Sequence, residues 1–355
     1  MLNNIYEWHF PVWRQLLADA NGLPHAMLMA GPPGLGKQAF AQALAARLLC
    51  EQDSTSAAAD RVACGTCSSC IWLTSENHPD FRLVQPEDAD DGADDGNDET
   101  PAASTGRKIG RGVIRVDQIR ALTDFVYVGS HRHGNRVVVI SPAESMNLAA
   151  ANSLLKVLEE PPAGVYFIMV SSAWRRLIPT LRSRCRLVIF GRPEGTLADR
   201  WLADKGVAKS AELLRLVGGA PLLAAEWADR GHMEPYRQII EVLAGKPADP
   251  VAMAAKWGAL VKGENAIGLP QLVETVQKWV FDLAMLKTAG VLRYHDSWRN
   301  QLETLATGAS GAGLLTCYTD LLRIRAVARH PLSAQLFLED MAARYLRALS
   351  PARAA

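Results

Sequence analysis

Ala26-Met-Leu-Met-Ala30 runs directly into Gly31-Pro-Pro-Gly-Leu-Gly-Lys37, after which Phe40, Leu44 and Leu48 recur at every fourth position. The apolar run has the length of a buried strand, and the spacing after Lys37 gives one face of a helix. Strand, glycine-rich loop and helix in that order open a phosphate-binding α/β unit. In Gly31-x4-Gly36-Lys37 the backbone N–H groups can cradle phosphate while the lysine amine reaches its outer oxygens. Gly31, Gly34, Gly36 and Lys37 are therefore the candidate phosphate cradle for ATP or ADP.

The hydrolytic half of such a site is missing. A working loop follows its lysine with Ser or Thr, whose hydroxyl ligates Mg²⁺. Here the residue is Gln38, whose amide sits further from the backbone and overshoots. An acidic pair is also needed at the end of a neighbouring buried strand, but Val137 to Ile140 is followed by Ser141-Pro142. Glu144, three residues on, reads as a solvated turn residue. Neither Mg²⁺ binding nor independent ATP hydrolysis is expected; nucleotide binding stays open.

Working outward, Val137 to Ile140, Val165 to Val170 and Leu187 to Phe190 are further continuous apolar runs, as central parallel strands require. Between them, Ile119, Leu122 and Val126 mark one helix over 116–128, and Leu148, Ala151, Leu155 and Leu158 mark another, stopped by Pro161-Pro162. This alternation predicts a parallel sheet covered by helices on both faces. Past Gly191 no strand pattern remains, and amphipathic helical segments continue to Leu349.

Four of the six cysteines lie between Cys50 and Cys70, as Cys50, then Cys64-Gly-Thr-Cys67-Ser-Ser-Cys70. Four thiolates with two-residue spacings suit a tetrahedral, closed Zn²⁺ site, with a structural rather than catalytic role. A redox Cys-x2-Cys pair explains two of them and not four. Cys185 and Cys317 read as buried packing residues.

Residues 87–106 carry eight acids and no base. A calcium loop does not fit them: aligning Gly92 or Gly96 with the loop glycine puts Ala89 or Ala93 at a ligand position. The stretch reads as a disordered acidic surface insertion. Over the 355 residues the formal net charge is +1, with 49% hydrophobic and 21% charged residues. Those values fit a globular chain of two or three domains and give no global basic surface for nucleic acid. No signal peptide or membrane span is read, so the expected location is cytoplasmic, with no membrane partner.

The zinc cluster placed directly after the first helix resembles the subunits of the bacterial DNA polymerase III clamp loader. So do Asn152-Ser-Leu-Leu-Lys-Val-Leu-Glu-Glu-Pro-Pro162, similar to that family's signature helix, and Ser183-Arg184-Cys185, similar to its Ser-Arg-Cys motif. The resemblance is clear over residues 6–230. It implies an AAA+ parallel-sheet domain at 1–192, carrying the zinc module at 50–72 and the acidic insertion at 87–106. A small helical lid at 193–231 and an all-helical collar for oligomerisation at 232–355 would follow. It further implies that Arg184 is an arginine finger, acting in trans on the γ-phosphate held by a neighbouring motor subunit. Implied partners are the delta and gamma/tau subunits and, indirectly, the beta sliding clamp and primed DNA. The implied setting is the DNA-directed DNA polymerase (nucleotidyltransferase) holoenzyme. Gln38, Ser141 and Pro142 favour a non-hydrolysing member over the ATP-hydrolysing gamma/tau motor. A zinc-containing nucleic-acid-binding module is the alternative from another class, weakened because no Lys or Arg stands between Cys64 and Cys70.

Overall fold

In the computed structural model the described residues are 5–18, 22–52, 61–87, 112–127, 134–245, 249–262, 266–328 and 333–350. The chain divides into two compact units, residues 1–194 and 195–355. The first begins with helix α1 (Phe10–Leu17), strand β1 (Ala26–Ala30), helix α2 (Lys37–Leu49) and helix α3 (Ser68–Thr74). Strand β2 (Phe81–Val84), helix α4 (Val116–Tyr127), strand β3 (Arg136–Ile140) and helix α5 (Leu148–Glu159) follow. Strand β4 (Val165–Ser171), helix α6 (Pro179–Ser183) and strand β5 (Arg186–Ile189) complete it.

The five strands form one parallel sheet in the order β2-β3-β4-β1-β5. This is the parallel, helix-covered sheet that the alternation of strands and helices predicts. Every residue of β1 and β3 is buried, which explains their uninterrupted apolar sequences: both faces are covered and no position faces water. Strand β1 pairs with β4 through Leu28–Met169 and with β5 through Leu28–Leu187. The carboxyl ends of β1, β3 and β4 meet at one edge of the sheet, since Ala30 pairs with Ser171 and Ile140 with Met169. In open α/β sheets ligand sites lie at that edge, beside a strand whose two neighbours are reached in opposite directions. Here that strand is β1.

Several readings need correction. Leu187 to Phe190, read as a central strand, is the edge strand β5 at Arg186–Ile189, paired only with β1, with Leu187 40% and Ile189 64% exposed. The apolar face of α5 is Ala150, Ala151, Leu154, Val157 and Leu158; Leu148 is 66% exposed. Leu148 is the first helical residue, just after the Asn147 cap, whose side chain accepts from the Ala150 N–H at 2.8 Å. Strand β3 extends the apolar run Val137 to Ile140 by one residue at its start, Arg136, which is buried. Its Nε donates to Asp80 at 3.1 Å, its Nη1 to the Phe125 carbonyl, and its guanidinium lies over the Phe125 ring. A buried charge is tolerable only when matched this fully. Strand β2 had no sequence signal: it is an edge strand with Arg82 exposed in its middle and only Val84 buried. The acidic insertion lies outside the described residues from 88 to 111. At its start, Glu87 forms an isolated antiparallel bridge with Val113.

The second unit is helical among its described residues: α7 (Gly195–Asp204), α8 (Ser210–Leu216), α9 (Pro221–Asp229), α10 (Met233–Ala244), α11 (Pro250–Lys262), α12 (Leu269–Ala289), α13 (Arg299–Gly308), α14 (Gly311–Val327) and α15 (Ala334–Leu349). Its centre is α12, with Leu272, Val273, Val276, Trp279, Val280 and Leu283 fully buried. Burying such a side chain contributes about 1.5–3 kcal/mol. Trp279 Nε1 donates to the Tyr345 hydroxyl at 3.0 Å, and that hydroxyl donates to the Leu243 carbonyl at 2.9 Å. Asp282, fully buried, accepts from the backbone N–H groups of Arg293, Tyr294 and His295 and from His295 Nδ1, all within 2.9 Å. Burial works against its charge, but the His295 and backbone bonds outweigh it and hold the carboxyl below its ordinary pKa. No described helix is long and apolar enough to cross a membrane.

Candidate functional site

The phosphate loop joins the end of β1 to the start of α2. Two of its glycines answer to packing. A Cβ on Gly31 would lie 2.5 Å from the Phe190 carbonyl oxygen. Gly36 has φ +85°, and a Cβ there would meet the Tyr6 ring at 2.6 Å; only glycine accepts both conditions. Lys37 is 5% exposed. Its amine donates to the Pro32 carbonyl at 2.6 Å and to Ser172 Oγ at 3.1 Å, just past β4. Burial lowers its pKa to about 8, against the pull of nearby Glu144.

Glu144 is not the solvated turn residue expected from sequence. Its Oε1 accepts from the Ser172 and Ala173 N–H groups at 3.0 and 3.2 Å, and its Oε2 is buried with no donor. The short 3-10 turn Ala143–Ser145 after β3 directs it toward the end of β4. Loop lysine, Ser172 and Glu144 thus form one connected polar set. The structure places Gln38 after the lysine and Ser141-Pro142 at the end of β3, so a hydroxyl ligand for Mg²⁺ and an acidic pair are both lacking at these positions.

An aromatic segment covers the loop, which the sequence reading missed. Tyr6 and Trp8 stack at 4.8 Å, and Trp8 Nε1 donates to the Leu35 carbonyl at 3.1 Å. His9 Nε2 lies 2.7 Å from that same carbonyl. A carbonyl can only accept, so Nε2 carries the hydrogen. The His9 ring meets Phe40 and Phe190 edge-on at 5.4 and 5.3 Å. Burial lowers its pKa to about 4, the Leu35 bond opposing and Lys37 adding to the shift. The density of aromatics in Tyr6-Glu-Trp8-His-Phe10 was the available signal.

The four clustered cysteines do come together. Cys50 follows α2, Cys67 caps α3 and Cys70 lies in its first turn. Their sulfurs all lie within 4.8 Å of one another, and Cys64 Sγ is 3.8 Å from Cys70 Sγ. Zinc–sulfur bonds of about 2.3 Å in a tetrahedron put sulfurs about 3.8 Å apart, so the set fits the ion. Cys64 Sγ accepts from the Thr66 and Cys67 N–H groups at 3.4 and 3.3 Å, and Cys50 Sγ from the Cys64 N–H at 3.4 Å. The bonds from Thr66 and Cys67 bring the Cys64 thiol down to about 6, whereas burial raises Cys50 and Cys70. Four thiolates in this space would need a cation to offset their charge.

In Ser183-Arg184-Cys185 the cysteine is the anchor. Cys185 is buried, its thiol donates to the Leu181 carbonyl at 3.1 Å, and burial pushes it up to about 12. Cys317 in the second unit is likewise buried. Arg184, one residue past α6, is turned outward and its side chain is 36% exposed. Its Nη1 donates to the Thr180 carbonyl at 3.0 Å and its Nη2 to Glu159 Oε1 at 2.5 Å.

A family model described as DNA polymerase III, delta subunit, matches residues 12–194. A DNA polymerase III delta-prime subunit from Pseudomonas aeruginosa is 34% identical over 295 residues, 82% of this chain and 78% of its own length. One from Haemophilus influenzae is 31% identical over 241 residues, 66% of this chain and 65% of its own. A gamma/tau subunit from Mycobacterium tuberculosis is 30% identical over 211 residues, covering 57% of this chain and 32% of its own.

Proposed function

We propose, from the premise that this chain belongs to the DNA polymerase III delta-prime family, that it is the non-hydrolysing member of a clamp loader. In that role it assembles with delta and gamma/tau subunits and helps place the beta sliding clamp on primed DNA in the cytoplasm. One observation carries the reading: the two ends of ATP chemistry are unequally built. The receiving end has its lysine buried and bonded to Pro32 and Ser172, with Gln38 and Ser141-Pro142 where metal and water would need ligands. The donating end, Arg184, is exposed. The motor-type gamma/tau reading requires a metal-ligating Ser or Thr after the lysine and an acidic pair after the strand, and this chain has Gln38 and Ser141-Pro142 there.

Arg184 then serves a neighbouring subunit. A guanidinium presents planar donors to the charge spreading over the γ-phosphate oxygens as the bond to the leaving group lengthens. In this chain's own loop, Gly31, Gly34, Gly36 and Lys37 keep the shape of a cradle. ATP or ADP bound there has to draw Lys37 from its two protein acceptors. Cys50, Cys64, Cys67 and Cys70 would hold one Zn²⁺, and an ion with four protein ligands would supply cross-linking and no reaction step. Residues 193–231 would form the lid and residues 232–355 the collar.

The test is ATP turnover by the chain alone and mixed with gamma/tau and delta subunits, with Arg184→Ala alongside. No turnover alone is expected. In the mixture, single-turnover hydrolysis should lose one kinetic phase with Arg184→Ala, because a finger is worth on the order of 10³–10⁵ in rate at the site it serves. Turnover by the chain alone, or a mixture indifferent to Arg184→Ala, overturns the proposal.

A further inference from the structure

We infer that Glu159 is a positioning residue for Arg184, holding the guanidinium at the surface in the geometry in which it meets the neighbouring nucleotide. This rests on the finger reading above and adds a residue to it.

Glu159 is the last residue of α5. That is an unfavourable place for a carboxylate, because the helix presents its unpaired carbonyls and negative end there. A partner cation offsets this, and Arg184 provides one at 2.5 Å. The arrangement comes from two fixed elements. Asn147 caps the start of α5, whose inner face is buried through Leu158, and Pro161-Pro162 stop it just beyond Glu159. Arg184 is fixed from the other side by buried Leu181 and Cys185, in α6 and directly before β5.

The pair leaves the functional part of the arginine free. Of its five N–H groups, one on Nη1 goes to Thr180 and one on Nη2 to Glu159. Three donors, including the Nε–H, remain for an incoming anion. A long side chain otherwise samples many rotamers, and each bond to a transferring phosphoryl group has to overcome that freedom. Anchoring two nitrogens reduces the loss without covering the rest. Such a role raises the rate of the step and leaves nucleotide affinity, set in the neighbour's own loop, unchanged.

The experiment uses the complete mixture with gamma/tau and delta subunits and follows single-turnover ATP hydrolysis with wild type, Glu159→Ala, Glu159→Asp, Arg184→Ala and the double variant. Glu159→Ala is expected to slow the phase that Arg184→Ala abolishes by about 2- to 5-fold, the range of an exposed ion pair. The ATP concentration at half-saturation should not move, and Glu159→Asp should restore part of the rate. Added salt should shrink the difference between wild type and Glu159→Ala, because the pair is exposed. In the Arg184→Ala background, Glu159→Ala should have no further effect. A loss that persists in that background, a shift in half-saturation, or a faster Glu159→Ala ring overturns the inference. A full Arg184→Ala effect with a silent Glu159→Ala overturns it alone; a silent Arg184→Ala overturns the finger reading and this inference together.

Discussion

Acidification should loosen the first unit through His9, and His9→Phe should remove that sensitivity. The ring is buried among Phe40, Phe190 and Tyr6, and its Nε2–H donates to the Leu35 carbonyl. Burial brings its pKa from 6.5 down to about 4. In the unfolded chain the ring takes up its proton near the ordinary value; in the folded chain it resists. The neutral form therefore contributes fully above pH 6.5, and stability falls as pH drops from there toward 4. A displacement of about 2.5 pKa units sets a ceiling of roughly 3 kcal/mol, of which about 2 kcal/mol is lost between pH 7 and pH 5. Phenylalanine keeps an aromatic ring in the cluster, and Trp8 still donates to Leu35. The variant should thus be about 1 kcal/mol less stable than wild type at pH 7 for the lost bond, and about 1 kcal/mol more stable than wild type at pH 5, where wild type has lost about 2 kcal/mol. Urea unfolding of both chains at pH 7, 6 and 5 measures this, since other titrating groups cancel in the difference between chains. Parallel decline of the two, within about 0.5 kcal/mol, would refute a neutral His9 and the burial argument behind it.

Two further outcomes are expected. Cys67→Ser should lower the zinc content of the purified chain and speed amide exchange in residues 61–72; zinc equal to wild type would remove the four-thiolate assignment. Asp282→Ala should destabilise the second unit by about 3–5 kcal/mol, since four donors lose their acceptor in the core; an unchanged melting temperature would mean those donors find water.

The parts of the fold most legible in the sequence are the inner strands; β5 was also found from its apolar run, but was read as central although only Val188 is buried. β1, β3 and β4 read as strands because both faces of a central parallel strand are covered, and the cysteine set because metal geometry restricts spacing. Edge strand β2 was illegible for the opposite reason: half its side chains meet water and Arg82 interrupts the apolar run. In α5 the periodicity gave the helix, but Leu148 was placed inward because spacing alone does not distinguish the first turn from the rest. At the site, Gly31 to Lys37 could be read directly, whereas Glu144, Glu159 and the Tyr6-Trp8-His9 cover could not. Each acts through partners distant in sequence: Glu144 on Ser172, Glu159 on Arg184, His9 on Leu35. A single charged or aromatic residue carries no mark of such a pairing until the chain is folded.

The sterics of Gly31 and Gly36 bear on how a chain of this kind can drift. A side chain at either position runs into Phe190 or Tyr6, so folding alone removes such variants, whether or not nucleotide ever binds. Gln38, half-buried, faces no such backbone collision. Mutation can therefore erase the metal ligands while the glycine signature persists, and a search keyed to that signature would count an ATPase where only its outline is left.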